Sequence, residues 1–207
     1  MADLHPGWPV VLSAGPVTLR PAKRSDARAW SSARLRNAAW LTRWEPTSNQ
    51  GWQQRNTPYE FRRGLSRLKS AARVGSVLPF VVIYGDRLVG QMTASNVIRG
   101  ALRSCSIGYW IDSAVAGRGI TPTALALLID HCLTDVRLHR VEVNIRPENQ
   151  ASLRVVEKLG LRREGYHERF LDIDGGWRDH LTFAITVEEI LDAPVLSRLS
   201  SLPVPPG

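Results

Sequence analysis

Leu125, Leu128, Ile129, Cys132 and Leu133 recur at i, i+3, i+4, i+7 and i+8, which lays one apolar stripe along a helix. Strand-like segments stand on both sides of it. Ser106-Ile107-Gly108-Tyr109-Trp110-Ile111 reads as extended, and Arg140-Val141-Glu142-Val143-Asn144-Ile145 alternates apolar and polar. A helix flanked by strands, with a stripe that must be covered, restricts the chain to an architecture in which helices pack on a sheet.

The remaining segments extend this pattern. Val17–Arg20 reads as a first strand, and Ser25 offers an N-cap for a helix to about Asn37. Thr57-Pro58-Tyr59-Glu60 forms a capping box with Pro at the first helical position, opening a helix to about Arg73. Pro79–Tyr84, the turn Gly85-Asp86 and Leu88–Met92 predict a hairpin. Asn149 to Leu159 is helical, with Asn149 as N-cap and Gly160 as C-terminal cap. Strands over roughly 163–173 and 179–187 flank the turn signal Asp174-Gly175-Gly176. The order β-α-α-β-β-β-α-β-α-β-β predicts one mixed α/β domain with a single sheet. It spans residues 16–190, between a Pro/Gly-punctuated lead-in (1–15) and a loose Pro-rich tail (191–207). The length of 207 residues suits one such domain.

Composition excludes several classes. An apolar fraction of 43% with 22% charged residues is ordinary for a globular chain and excludes extensive disorder. No run reaches the ~18 apolar residues of a membrane helix, and Met1-Ala2-Asp3-Leu4-His5 does not resemble a signal peptide. Cys105 and Cys132 show no metal-ligand spacing and read as reduced thiols in a cytoplasmic protein with no metal. The net charge of +8 favours anionic partners, but only Lys23, Lys69 and Lys158 are lysines, so the charge is mostly arginine and equally fits a coding bias. Trp40, Trp44 and Trp52 fall within thirteen residues and read either as core contacts or as a partly exposed aromatic wall of a groove.

Ala116-Gly117-Arg118-Gly119-Ile120-Thr121-Pro122 leads directly into the striped helix. Glycines here allow a tight turn that points consecutive N–H groups at one ligand, and the helix N-terminus adds about half a positive charge. Thr121 as N-cap with Pro122 at the first helical position, and Arg118 beside them, would complete a phosphate or pyrophosphate site. A plain strand-to-helix turn accounts for the same glycines. A Walker P-loop and a GxGxxG fingerprint are both absent.

Gly117-Arg118-Gly119 resembles the pyrophosphate motif of the GNAT (GCN5-related N-acetyltransferase) superfamily, and Pro147–Ser152 with Glu157-Lys158-Leu159-Gly160-Leu161 resembles its following motif. Trp44-Glu45-Pro46, Ser95–Gly100, Gly108-Tyr109-Trp110 and Gly175–His180 resemble the ribosomal-protein-alanine N-acetyltransferases, the RimJ/RimL group. Ala116 stands where the superfamily has Gln or Arg, and Thr121 where it has Gly or Ala.

The resemblance implies a central, mostly antiparallel sheet of about seven strands with a splayed central pair, flanked by about four helices. It implies acetyl-CoA as donor, held by Tyr109, Trp110, Ile111, Gly117, Arg118, Gly119, Ile120, Thr121 and Asn149. Ser152 becomes a candidate acid for the departing thiolate, or is simply the third residue of a capped helix. The general base is open among Glu142, Glu60 and water, and the histidines default to packing or solvated roles. The implied acceptor is a protein N-terminal α-amine, of a ribosomal protein among others. An α-amine titrates near 7.7–8.0 and lysine near 10.4, so roughly one in seven α-amines is neutral at pH 7 against fewer than one in a thousand lysines. A chain without an evident strong base therefore suits the α-amine better. The alternatives are acetylation of a small amine, or a non-catalytic relative that binds ribosome or RNA through its basic charge.

Overall fold

The computed structural model describes residues 7–200 and 203–204. Eight strands form one sheet: β1 (Leu12–Ala14), β2 (Val17–Arg20), β3 (Leu78–Tyr84), β4 (Arg87–Ile98), β5 (Ser104–Ile111), β6 (Arg140–Ile145), β7 (Arg162–Ile173) and β8 (Gly176–Thr186). Their order is β1-β2-β3-β4-β5-β6-β8-β7, antiparallel throughout except where β5 meets β6. The helices are α1 (Ala27–Arg36), α2 (Ala38–Leu41), α3 (Trp52–Arg55), α4 (Pro58–Arg73), α5 (Ile120–Thr134) and α6 (Gln150–Lys158). The expected mixed α/β sheet is therefore present, with one strand more than anticipated. Four longer helices are accompanied by the single turns α2 and α3, which are too short to carry a period.

Every residue of β3 is buried, because both faces of the sheet are covered. Phe80, Val82 and Tyr84 join the main core with α5, while Val81 and Ile83 pack with Trp30 of α1 on the opposite face. The α5 stripe is sealed, with Leu125, Leu128, Ile129 and Cys132 all at 0% exposure. Among the described residues no helix is long and apolar enough to cross a membrane.

The central opening lies between β5 and β6. Their parallel ladder ends at Ser106↔Glu142, although β5 runs on to Ile111 and β6 to Ile145. Past Ser106, the backbone edge of β5 that faces β6 therefore has no strand partner.

Several local expectations change. The helix expected from Ser25 starts at Ala27 after a 3-10 turn, Arg24–Asp26. Asp26 accepts from the Lys23 N–H at 2.7 Å and from both Arg20 guanidinium nitrogens at 2.8 Å, which fixes the turn ahead of the helix. Thr57 caps α4 through the Glu60 N–H at 3.2 Å, but the Glu60 carboxylate turns to Arg63 instead of closing the box. The described part of the lead-in is tied to the sheet: β1 pairs with β2, and the buried Trp8 donates its indole N–H to the Pro79 carbonyl at 3.1 Å. Nor is the described part of the tail loose. Asp130 on α5 accepts from the backbone N–H groups of Val195 and Leu196 at 2.6 and 3.0 Å, and Val195 is fully buried.

Candidate active site

β5 delivers the chain to the glycine loop through a fixed joint. Asp112, 1% exposed, accepts from the Ala114 N–H at 3.2 Å, from Asn37 Nδ2 at 2.8 Å and from Arg36. Burial pushes its pKa up, and these hydrogen bonds more than reverse that, leaving it below the usual carboxylate range. Asn37 Oδ1 in turn accepts from the Ser113 N–H and hydroxyl at 3.0 and 2.6 Å. The end of α1 thus anchors the start of the loop.

Gly117 and Gly119 hold φ of +81° and +78°, the left-handed region that favours glycine. Gly119, not Thr121, is the N-cap, and α5 starts at Ile120, which places Thr121 second and Pro122 third. The shift follows from the left-handed turn at Gly119, whose carbonyl also accepts from the Thr123 hydroxyl at 2.9 Å. No side chain caps this helix, and Pro122 has no N–H, so the amides of Ile120 and Thr121 face outward as donors. Arg118 is exposed at the lip, and its side chain forms no part of the cleft wall.

This loop opens onto a cleft of about 930 Å³ whose walls include Trp40, Gly117, Gly119, Thr121 and Tyr109–Ile111. α6 closes its far side with Asn149 and Ser152. A second space of about 380 Å³ lies on the other side of the splay, walled by Gln91, Thr93, Asn144 and His180 among others. The two spaces share Trp44, Glu45, Tyr109, Trp110, Asn149 and Ser152. Trp40 and Trp44 therefore form the aromatic wall, whereas Trp52 packs with its ring on Arg34.

Asn149 Oδ1 accepts from the Ser152 N–H at 3.1 Å, leaving the amide NH2 toward the cleft wall. The Tyr109 hydroxyl is sealed from solvent and closes no hydrogen bond of ordinary geometry; its polar neighbour is the Ser152 hydroxyl. Burial pushes the Tyr109 pKa up to about 12, with Ser152 opposing in part.

The two carboxylates considered as bases sit elsewhere. Glu142 accepts from Arg140 Nε at 2.7 Å, and Glu60 pairs with Arg63; neither lines either space. Three unanticipated residues stand at the junction or behind it. Glu45 Oε1 accepts from Arg34 Nη1 at 2.6 Å. Arg34, 5% exposed, also donates from Nε to Asn56 Oδ1 at 2.9 Å and lies 4.7–5.6 Å from the rings of Trp30, Trp52 and Trp110. His180 is buried on the smaller space's wall, where desolvation lowers its pKa. Only the tryptophan-rich segment around Trp44-Glu45-Pro46 hinted at this cluster.

Residues 17–162 match the family described as acetyltransferase (GNAT) domain. The chain is similar to Mycobacterium smegmatis RimJ, solved in complex with CoA-disulfide, at 45% identity and a TM-score of 0.90 over 94% of this chain and 95% of that one. It is 31% identical over 174 residues to the [Ribosomal protein uS5]-alanine N-acetyltransferase of Escherichia coli, covering 79% of this chain and 85% of that protein. The Bacillus subtilis protein named "Probable N-acetyltransferase YjcK" is 41% identical over 100 residues, 48% of this chain and 55% of that protein's length.

Proposed function

This chain belongs to the GNAT acetyltransferase family, and on that premise we propose that it transfers the acetyl group of acetyl-CoA to the N-terminal α-amine of a protein, with a cytoplasmic ribosomal protein as acceptor. The observation that carries this reading is the meeting of two spaces at Tyr109, Asn149 and Ser152, one walled by a glycine loop and a helix N-terminus, the other by side chains.

The larger cleft fits the donor. An uncapped helix start behind two left-handed glycines suits a pyrophosphate, the free edge of β5 suits an amide-bearing arm, and an orphaned buried hydroxyl awaits a partner. When bound, acetyl-CoA supplies an acyl group already activated by a good leaving group. The chain's own contribution is positioning and proton supply. The Ile120 and Thr121 amides and the α5 dipole hold negative charge. Asn149 keeps its NH2 free for a carbonyl while its oxygen caps α6. A backbone N–H on the open edge of β5 would polarise the thioester carbonyl. Ser152 and Tyr109 each keep a hydroxyl proton beside the junction, Tyr109 because its pKa stands at about 12. Arg118 at the lip adds a cation near the phosphates.

The acceptor class rests on three supports. The α-amine is the more readily deprotonated amine, the smaller space has room for the leading residues of a peptide, and the Escherichia coli relative is named for a ribosomal protein. An acetylation assay by mass spectrometry tests it, with peptides carrying either a free N-terminus or a blocked N-terminus and a lysine. Transfer to free N-termini alone is expected, whereas transfer only to the blocked, lysine-containing set would overturn the reading. Ser152→Ala is expected to lower kcat by about 10²-fold or more if the hydroxyl protonates the thiolate; unchanged turnover removes it from the mechanism.

A further inference from the structure

We propose that Glu45 is the residue that receives the acceptor's terminal amine and takes its proton, a role that rests on the amine-acetylating reading above. Glu45 is the one acidic side chain on the wall of the smaller space and also lines the larger one, so it stands where an amine must pass to reach the donor. Its main chain is fixed on both sides: its N–H donates to the Thr42 carbonyl at 3.1 Å, and its carbonyl accepts from Asp174 N–H of the β7–β8 turn at 3.1 Å. Pro46 then bridges to Ile173, which ties this segment across the smaller space.

The carboxylate is held by one oxygen only. Arg34 Nη1 takes Oε1 at 2.6 Å, and no hydrogen bond among the described residues falls on Oε2. Arg34 cannot swing away, since it lies among three indole rings and donates to Asn56. Asn56 is itself fixed, donating from Nδ2 to the Trp52 carbonyl at 2.8 Å while its carbonyl accepts from the Ser31 hydroxyl at 2.6 Å. Burying a guanidinium this deeply is a poor way to gain stability alone. It is an effective way to hold one carboxylate oxygen still and leave the other open to a substrate. An unpartnered carboxylate oxygen on the wall of the smaller space, which has no other acid, is what an α-ammonium requires.

The step balances as follows. One N–H bond of the ammonium breaks, its electron pair stays on nitrogen, and the proton passes to Oε2. That pair forms the new N–C bond to the acetyl carbon as the C–S bond breaks, and the sulfur leaves with its pair and is protonated by a hydroxyl at the junction. The nitrogen then sheds a second proton to become a neutral amide, and that proton returns through water to the oxygen of the hydroxyl that served the sulfur. Glu45, part-exposed with 22% of its side chain open, then returns its proton to water.

Glu45→Gln tests this with little risk to the fold, because its amide oxygen can still accept from Arg34. Two acceptor peptides of one sequence are compared at pH 7: one with a free α-amine, and one with an aminooxyacetyl N-terminus that is neutral at that pH. The expected result is a fall in kcat/KM of about 10²-fold or more for the α-amine, narrowing as the pH rises past 8, against less than fivefold for the aminooxy peptide. CoA affinity is expected to stay within twofold. Equal loss on both acceptors, or no loss on either, overturns the proposal. In Glu45→Ala, added formate is expected to restore turnover of the α-amine peptide; absence of rescue counts against it. If the wild type prefers a lysine or a small amine, the pair of acceptors is rebuilt on that amine. The N-terminal reading then fails on the wild type's choice of acceptor, and Glu45 is judged separately on the variant's dependence on acceptor charge.

Discussion

On the function proposed above, the donor side of the site is built from backbone and the acceptor side from side chains. Gly117, Gly119, the first amides of α5 and the open edge of β5 offer N–H and C=O groups that any residue carries. Glu45, Arg34, Asn144 and His180 offer functional groups that only those side chains supply. Substitution should therefore act differently on the two. Ala116 in place of the superfamily's Gln or Arg, and Thr121 in place of Gly or Ala, leave the amides on the donor side where they were. On the acceptor side, one changed atom removes the group itself.

The largest effect expected of this division is at Arg34. Arg34→Met would strip the buried partner from Glu45 and the cation from three indoles, at a cost of about 3 kcal/mol in unfolding free energy. Urea titration reads that loss, and the KM for peptide should rise with it because Glu45 is no longer held. CoA affinity should move less than about threefold. A matched loss of CoA affinity would mean that the two sides are one cooperative unit.

Next comes Gly117→Ala. A Cβ there meets nothing within 4 Å, so the consequence is purely conformational. An L-residue at φ +81° costs roughly 1–2 kcal/mol, and an exposed loop escapes that cost by changing shape. The loss then appears in binding, as CoA held about five- to thirtyfold less tightly by calorimetry, with peptide KM unchanged. Gly100→Ala is the control: its φ is +77°, its surroundings are equally open, and it lies in the β4–β5 turn away from the cleft. If Gly100→Ala weakens CoA as much, the glycine loop has no special part in holding phosphate.

The same division explains what could be read from residue order. The α5 stripe and the Gly117–Gly119 spacing are local patterns whose physical meaning survives without neighbours, so the sheet-packing helix and the glycine turn at its start were legible. The cap was misplaced by two residues because Thr121 has the better capping side chain, while a left-handed Gly119 gives the tighter entry. β1, at three residues, and the single-turn helices are too short to show a period. The acceptor side was largely illegible. Glu45 acquires its geometry from Arg34 in α1 and from the β7–β8 turn, and nothing in the intervening sequence announces either contact. His180 carries no local signal distinguishing a packed histidine from one lining a substrate space.

That residue provides the smallest and most selective test. His180 Nδ1 pairs with the Arg178 carbonyl at 3.0 Å, and desolvation lowers its pKa below the ordinary 6.5 even though that hydrogen bond and nearby carboxylates pull the other way. The unfolded chain therefore binds a proton at this position before the folded one does. Stability rises with pH wherever the unfolded state holds more protons, so the contribution is complete above about pH 6.5 and is lost as the pH falls through the lower, folded value. The expected outcome is a melting temperature that declines between pH 6.5 and 5 more steeply in the wild type than in His180→Gln. Subtracting the two curves cancels the other histidines and the carboxylates, which both proteins share. Parallel curves would mean that His180 takes up its proton equally in the folded and unfolded chain, so that below about pH 6.5 the acceptor wall would carry a charge that repels an incoming ammonium. Divergent curves leave Glu45 facing that ammonium beside a neutral imidazole, the arrangement in which a single carboxylate suffices to hold it.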